Sequence, residues 1–262
     1  MRMTPEHIEQ LRKAMELLEH PSLTARITAA IGRPIKKGIE LLPAKWSEVV
    51  NDATKRALQT ALDTALMTFG RNGQLASSDI WHKIAATVSG AGGGAFGLPA
   101  LVIELPVSTT IMLRSIADIA RSEGEDMCLA ESRLACLEVF ALGGRTSQDD
   151  AAESGYFTVR AALAKAVSEA AEFITQRGLA KEGAPVIVRL ISQIATRFGV
   201  NVSEKAAAQA VPAVGAVGGA LINLAFIDHF QDMARGHFTV RRLERIYGTE
   251  VVQSEYRKLN GQ

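Results

Sequence analysis

The chain has only two cysteines in 262 residues, Cys128 and Cys136. That is too few for a disulfide framework, and a chain of this length can bury a core without such staples. Aromatic residues make up 5%, which disfavours the stacking platforms of single-strand nucleic-acid binders. Neither sign of charge dominates: Lys plus Arg is 29 against 28 for Asp plus Glu, a formal net of +1. A nucleic-acid partner held by bulk charge is therefore not expected. Met1–Glu6 leads into an amphipathic pattern and not into the apolar run of a signal peptide, so a reducing, cytoplasmic setting is expected.

Catalytic motifs are equally scarce. There is no H-E-x-x-H, no paired Cys-x-x-Cys and no G-x-S-x-G, so zinc and nucleophile-elbow chemistry have no local signature. Gly92, Gly94 and Gly97 stand as G-x-G-x-x-G, but a helical pattern precedes them and Leu98-Pro99 follows, whereas that fingerprint needs a strand and then a helix. Gly32–Gly38 lacks the Gly-Lys-Ser/Thr ending of a phosphate loop. No cofactor is indicated. Asp228, His229 and Asp232 could hold a metal with a further ligand from elsewhere, although such a trio more commonly caps or salt-bridges a helix. The two cysteines lie eight apart on an expected helix, about 12 Å along its axis, too far to bridge, and are read as core packing.

What the chain does have is alanine and glycine, 40 and 22 residues, and apolar residues spaced by three and four nearly throughout. The spacing predicts helices from about Ile8 to Ile31, from Ser47 to Phe69, and over roughly 105–123, 127–142, 150–177, 185–198 and 204–247. Gly124, Gly143, Gly178, Gly183, Gly199 and Gly248 stand where C-caps would fall. No run of six alternates strictly, so the fold class is all-α: a compact multi-helix domain. Charge is segregated. Residues 1–60 carry ten basic and seven acidic side chains, residues 121–153 three and eight, and residues 235–262 six and three. The two basic ends are read either as ordinary solvated faces or as surfaces that meet something anionic together.

Two uncharged stretches demand an explanation. Ile84–Ile103 runs twenty residues and Ala206–Ile227 twenty-two, both rich in Gly and Ala. Either could be a helix of a soluble core, a hairpin dipping into one leaflet, or a full span, which needs about 20 apolar residues. Glycines four apart, such as Gly215 and Gly219, allow two backbones to approach closely. Asp118-Ile-Ala-Arg121 after the first stretch echoes Asp232-Met-Ala-Arg235 after the second, which hints at two similar helix ends. Polar residues beside these stretches, namely Glu104, Arg114, Asp118 and Asn223, are candidates for ligand or lipid contact. The other reading is structural: a Glu–Arg pair and an interhelical hydrogen bond. Lys36, Lys37, Lys45 and Trp46 lie in a basic, leucine-containing segment that suits a membrane interface, or a loop whose Trp46 tucks into the core. Arg241, Arg242 and Arg245 are candidates for the same face.

Glu104-Leu-Pro-Val-Ser-Thr-Thr110, Leu113-Arg114-Ser-Ile-Ala, Gly124-Glu-Asp126, Leu137-Glu-Val-Phe-Ala-Leu-Gly-Gly144, Pro212–Asn223 and Arg242-Leu-Glu-Arg-Ile-Tyr-Gly248 together resemble the EcsC family of bacterial proteins. The likeness runs from about Phe69 to Gly248. It implies an α-helical, cytoplasmic, membrane-associated protein, the namesake being encoded beside an ABC transporter, and it supplies no catalytic residues. The expected organisation is an N-terminal helical extension over 1–68, an EcsC-like helical domain over 69–250 and a tail over 251–262.

The leading expectation is a non-enzymatic accessory protein, peripheral at the inner face of the membrane, whose partner is a membrane surface or a lipid acyl chain, with a membrane protein as a further candidate partner. Two alternatives stay open. One is a peptidase-like hydrolase using polar groups around Glu104, Arg114 and Asp118, with Asp228 and His229. The other is a soluble interaction module docking a basic partner on Glu125, Asp126 and Glu131. An enzyme would place Glu104 and Asp228 or His229 around one open pocket, whereas a scaffold would bury them in closed pairs.

Overall fold

The computed structural model describes residues 2–19, 23–32, 45–68, 97–143, 155–177, 184–210 and 215–261. Among these residues there is no strand, and nine helices account for nearly all of them. They are α1 (Pro5–Glu19), α2 (Leu23–Ile31), α3 (Trp46–Thr68), α4 (Gly97–Ser122), α5 (Ala130–Leu142), α6 (Gly155–Arg177), α7 (Pro185–Gln209), α8 (Gly215–Tyr247) and α9 (Thr249–Asn260). The 33 residues of α8 span about 50 Å. This helix is the axis of the fold, packed by α1, α2, α4, α5, α7 and α9.

The buried residues of each helix recur at three and four, the period that puts them on one face. On α3 they are Val50, Ala53, Ala57, Leu58, Ala61, Leu62 and Ala65. On α4 they are Met112, Leu113, Ile116, Ala117 and Ala120. Phe140, Phe198, Phe226 and Phe230 meet at the centre, with ring centroids 4.8–6.1 Å apart. Small side chains let the helices close in. At Gly236 of α8 an added Cβ would stand 2.7 Å from Leu18 Cγ and 2.9 Å from the Ala14 carbonyl oxygen of α1.

Several helix ends differ from the sequence expectation. α7 does not stop at Gly199 but continues to Gln209. Phe198, Asn201, Val202 and Lys205 all face the core, and this tertiary packing outweighs the glycine's low helix propensity. The stretch expected as one helix over 204–247 is described as the end of α7, to Gln209, and α8, from Gly215, with 211–214 outside the described residues. Gly124 and Gly248 do end helices, with φ of +81° and +89°. Cys128 lies exposed in the turn before α5, and only Cys136 is core packing. Residues 251–262, expected as a tail, belong largely to α9, whose Val252 and Tyr256 are fully buried.

The most informative register is between α4 and α8. Gln231 Nε2 donates to Ser115 Oγ at 2.9 Å, Thr239 Oγ1 to Glu123 Oε1 at 3.5 Å, and Arg241 Nε to Glu125 Oε1 at 2.8 Å. Each pair is 116 residues apart, so the two helices run parallel and in step. The sequence echo has the same local structure in both: Arg121 pairs with Asp118 and Arg235 with Asp232, each at 2.7 Å. Carried back along both helices, the register brings the uncharged beginnings of α4 and α8 to the same end of the molecule. Most of Ile84–Ile103 lies outside the described residues. Ala206–Ile227 is divided between the end of α7 and the start of α8. Among the described residues no helix is long and apolar enough to cross a membrane.

Candidate functional site

The two ends of the α4–α8 pair differ in chemistry. At the far end, Glu125 sits just past α4, buried, and accepts from Arg241 Nε at 2.8 Å, from Arg241 Nη2 at 3.2 Å, from Ser132 Oγ at 2.9 Å and from Arg245. Burial pushes its carboxyl up, but the Arg241 and Ser132 hydrogen bonds and the Arg241 and Arg245 charges outweigh burial and hold it below the usual carboxylate range. Glu123 accepts from Arg242 Nε at 2.6 Å. The acidic middle of the sequence and its basic C-terminal part are thus each other's partners. Arg241, Arg242 and Arg245 are occupied inside the fold, and Glu125 does not offer a free acidic surface.

A second polar group lies beside it. Arg160 of α6 donates to both carboxylate oxygens of Glu244, at 2.9 and 3.0 Å, and to Tyr156 Oη at 3.2 Å. Tyr156 Oη lies 3.0 Å from His237 Nδ1, and Tyr256 Oη donates to Glu19 at 2.9 Å. Burial, then the nearby Arg160 and Arg241 cations, push His237 well below its ordinary value, so the ring is neutral. Burial lifts Glu138, on α5, from 4.5 to about 7, against the pull of Arg160 and Arg241. A carboxyl raised in the folded state favours the fold while protonated, so this stabilisation is full below 4.5 and is lost as pH rises through 7. The shift amounts to about 3 kcal/mol at roughly 1.4 kcal/mol per unit. Glu138→Gln is therefore expected to leave stability nearly unchanged near pH 4.5 and to raise it by up to about 3 kcal/mol at pH 8. Denaturant unfolding at the two pH values checks this, and an equal effect at both would contradict it.

Toward the uncharged end, Glu104 and Lys205 face each other. Lys205 sits on the apolar face of α7 at 1% exposure. Its Nζ donates to Glu104 Oε1 at 2.8 Å and lies 4.9 Å from the centroid of Phe226 on α8. Glu104 is partly exposed, at 24% of its side chain. One turn before Phe226, Asn223 has a buried Oδ1 with no hydrogen-bond partner. Gly215–Ile227 carries no charge, and Leu221 and Leu224 are 39% and 55% exposed on it. A Cβ at Gly219 would meet nothing within 4 Å.

Of the residues singled out by sequence, Glu104 pairs with Lys205 and not with Arg114, and Asn223 lies on α8 one turn before Phe226. Asp118 is exposed and pairs with Arg121. Trp46 is buried as the first residue of α3, so of the two readings of its segment the ring takes the core one. Lys45 is exposed; Lys36 and Lys37 lie outside the described residues. Asp228, His229 and Asp232 do not converge: Asp228 is exposed, Asp232 accepts from Arg26 and Arg235 at 2.7 Å each, and His229 Nε2 lies 3.1 Å from the Gly143 carbonyl. Among the described residues no three His, Cys, Asp or Glu side chains are grouped to hold a metal. Sequence reasoning missed Lys205, whose signal was a lysine on the same face as Phe198, Asn201 and Val202. It also missed Glu138, a carboxylate inside the apolar run Leu134–Leu142.

The described residues form an all-helical bundle. The model of the EcsC protein family matches residues 5–243. The chain belongs to that family, and the match takes in α1–α3 as well as the part from Phe69 onward that carries the motifs. No curated protein and no solved structure matches the chain.

Proposed function

We propose that this EcsC-family protein is a peripheral membrane-binding accessory protein that docks through the end where α4 and α8 begin. The observation that carries this reading is the parallel register of α4 and α8. It sets the uncharged starts of α4 and α8 toward the same end of the molecule, and Leu221 and Leu224 near the start of α8 are exposed. Exposed leucines on an uncharged helix start suit shallow insertion at the boundary between headgroups and acyl chains. Glu104 and His229 are closed into contacts with Lys205 and the Gly143 carbonyl, which favours a scaffold over a hydrolase built on those two, while Asp228 is exposed. The arginines of the C-terminal part are paired with Glu123 and Glu125 at the opposite end, so docking should depend little on anionic lipid.

Flotation of the detergent-free protein with phosphatidylcholine and with anionic liposomes, at low and high salt, tests this. The expected result is flotation with both lipids that survives high salt. Flotation lost in salt would assign binding to a basic surface instead, and no flotation would defeat the reading.

A further inference from the structure

Helix α9 is joined to the rest of the molecule by a single residue. α8 ends at Tyr247, α9 begins at Thr249, and only Gly248 lies between them. Gly248 has φ of +89° and ψ of 148°, a conformation that glycine adopts and side-chain-bearing residues avoid. The helical hydrogen-bond pattern nevertheless runs through this corner. The Gly248 N–H donates to the Glu244 carbonyl at 2.9 Å, and the Val252 N–H to the Gly248 carbonyl at 3.3 Å. Each is the i to i−4 bond of a continuous α-helix. The N–H groups of Thr249, Glu250 and Val251, the first three of α9, have no acceptor within their own helix. Turning Gly248 to helical angles would join α8 and α9 into one helix and give those three the carbonyls of Arg245, Ile246 and Tyr247.

The groove that α9 fills is specific to it. Val252 and Tyr256, four apart and so on one face, are fully buried. The Tyr256 ring centroid lies 5.9 Å from that of Tyr156 and 5.0 Å from that of Phe157, both on α6, and its hydroxyl donates to Glu19 of α1 at 2.9 Å. Exposing two such side chains is too costly for α9 to stay detached, so the groove is filled by its own α9 or by an identical one. A second copy supplies the identical one, and mutual exchange restores the contacts that each chain gives up. The closed and exchanged forms then differ chiefly at Gly248, and a one-residue connection is the kind of short hinge that favours exchange.

We propose that α9 is an exchangeable arm: with Gly248 straightened, α8 runs on into α9 and seats Val252 and Tyr256 in the α1–α6 groove of a second copy, which returns its own α9. The partner is another molecule of this chain, and the inference does not depend on membrane docking.

Gly248→Ala tests this. Alanine strains the closed corner but suits a continuous helix, so the monomer is penalised and the exchanged dimer is not. A penalty of about tenfold per hinge, with two hinges per dimer, raises the dimerisation constant about a hundredfold. In light scattering over a concentration series, Gly248→Ala should dimerise at about a hundredth of the concentration that the native chain needs. Hydrogen exchange should show the amides of Thr249, Glu250 and Val251 newly protected in the dimer, which a dimer formed through another surface would not produce. Adding Tyr256→Ala, or the milder Val252→Ala, removes an anchor and should return Gly248→Ala to monomer with the other helices still protected. Should Gly248→Ala fail to fold, the native chain refolded from denaturant at high concentration decides: a dimer with the same three amides protected is expected, and monomer alone would overturn the exchange. Gly248→Ala that dimerises no more readily than the native chain, a dimer without the new protection, or one that survives loss of the anchors would overturn it equally.

Discussion

Glu125→Gln is expected to cost about 3 kcal/mol, because it removes a buried carboxylate that accepts from Arg241, Arg245 and Ser132. Arg241 is 17% exposed and Glu125 4% by side chain, and the one other carboxylate paired with Arg241 among the described residues, Glu131, stands 3.9 Å away on the exposed side. The effect should also carry a pH signature. A carboxyl held below its ordinary range contributes stability that is present above about 4.5 and lost as the pH falls through its lower, folded value. The native chain should therefore weaken in acid along a limb that Glu125→Gln lacks. Arg245→Ala, by contrast, removes a residue 42% exposed and should cost no more than about 1 kcal/mol. Chemical denaturation of the three proteins from pH 3 to pH 8 checks both statements. If Glu125→Gln proved as stable as the native chain, the α4–α8 clamp would not be the fold's anchor.

Gly236→Ala should be nearly as damaging, and for the opposite of the usual reason. Alanine in place of a helical glycine ordinarily gains about 1 kcal/mol. At Gly236 the new methyl would meet Leu18 Cγ at 2.7 Å and the backbone oxygen of Ala14 at 2.9 Å. Leucine can turn aside, but a helix backbone shifts only by moving α1 as a whole. Overpacking of this kind costs about 1–3 kcal/mol, so the expected net is a loss of about 2 kcal/mol. Gly219→Ala, with open space around its Cβ, should instead be neutral or stabilising. Thermal unfolding of the two variants side by side tests the sign of each, and equal shifts would contradict the close approach of α1 to α8.

Much of this architecture is legible in the sequence because helices declare themselves locally. The three-and-four spacing over residues 47–69 and 105–123 reports one buried face without reference to any other part of the chain. The glycine at 124 closes its helix because a positive φ is a local demand. What the sequence does not disclose is which helices meet. Glu125 finds Arg241 across 116 residues, and nothing in the spacing of either stretch distinguishes that pairing from a solvated acidic and a solvated basic face. The same holds for Glu104: a partner ten residues on, Arg114, was the natural candidate, but α7 brings Lys205 to it across 101 residues. Gly199 reads as a helix end because glycine disfavours helix, yet the core contacts on either side of it carry α7 through. Trp46 shows the same limit from the other direction. Beside lysines it suits an interface by composition, and only the packing of α3 puts its ring inside.

The Asp-x-Ala-Arg echo was a weak signal by itself. Both copies form the same ion pair between residues three apart, but they stand 114 residues apart, against a register of 116 between the two helices. The α4–α8 register sets the two uncharged helix starts toward one end of the molecule, and the proposed function asks whether that end meets lipid.

The measurement that bears on this most directly is flotation of Leu224→Glu beside the native chain, on phosphatidylcholine vesicles in high salt. Leu224 is 55% exposed, so the substitution should leave the melting temperature within a degree or two of native. If the α4–α8 end enters the interface, a carboxylate there should lower vesicle binding about tenfold, a change of about 1.4 kcal/mol. Binding equal to that of the native chain would show that this end does not meet lipid.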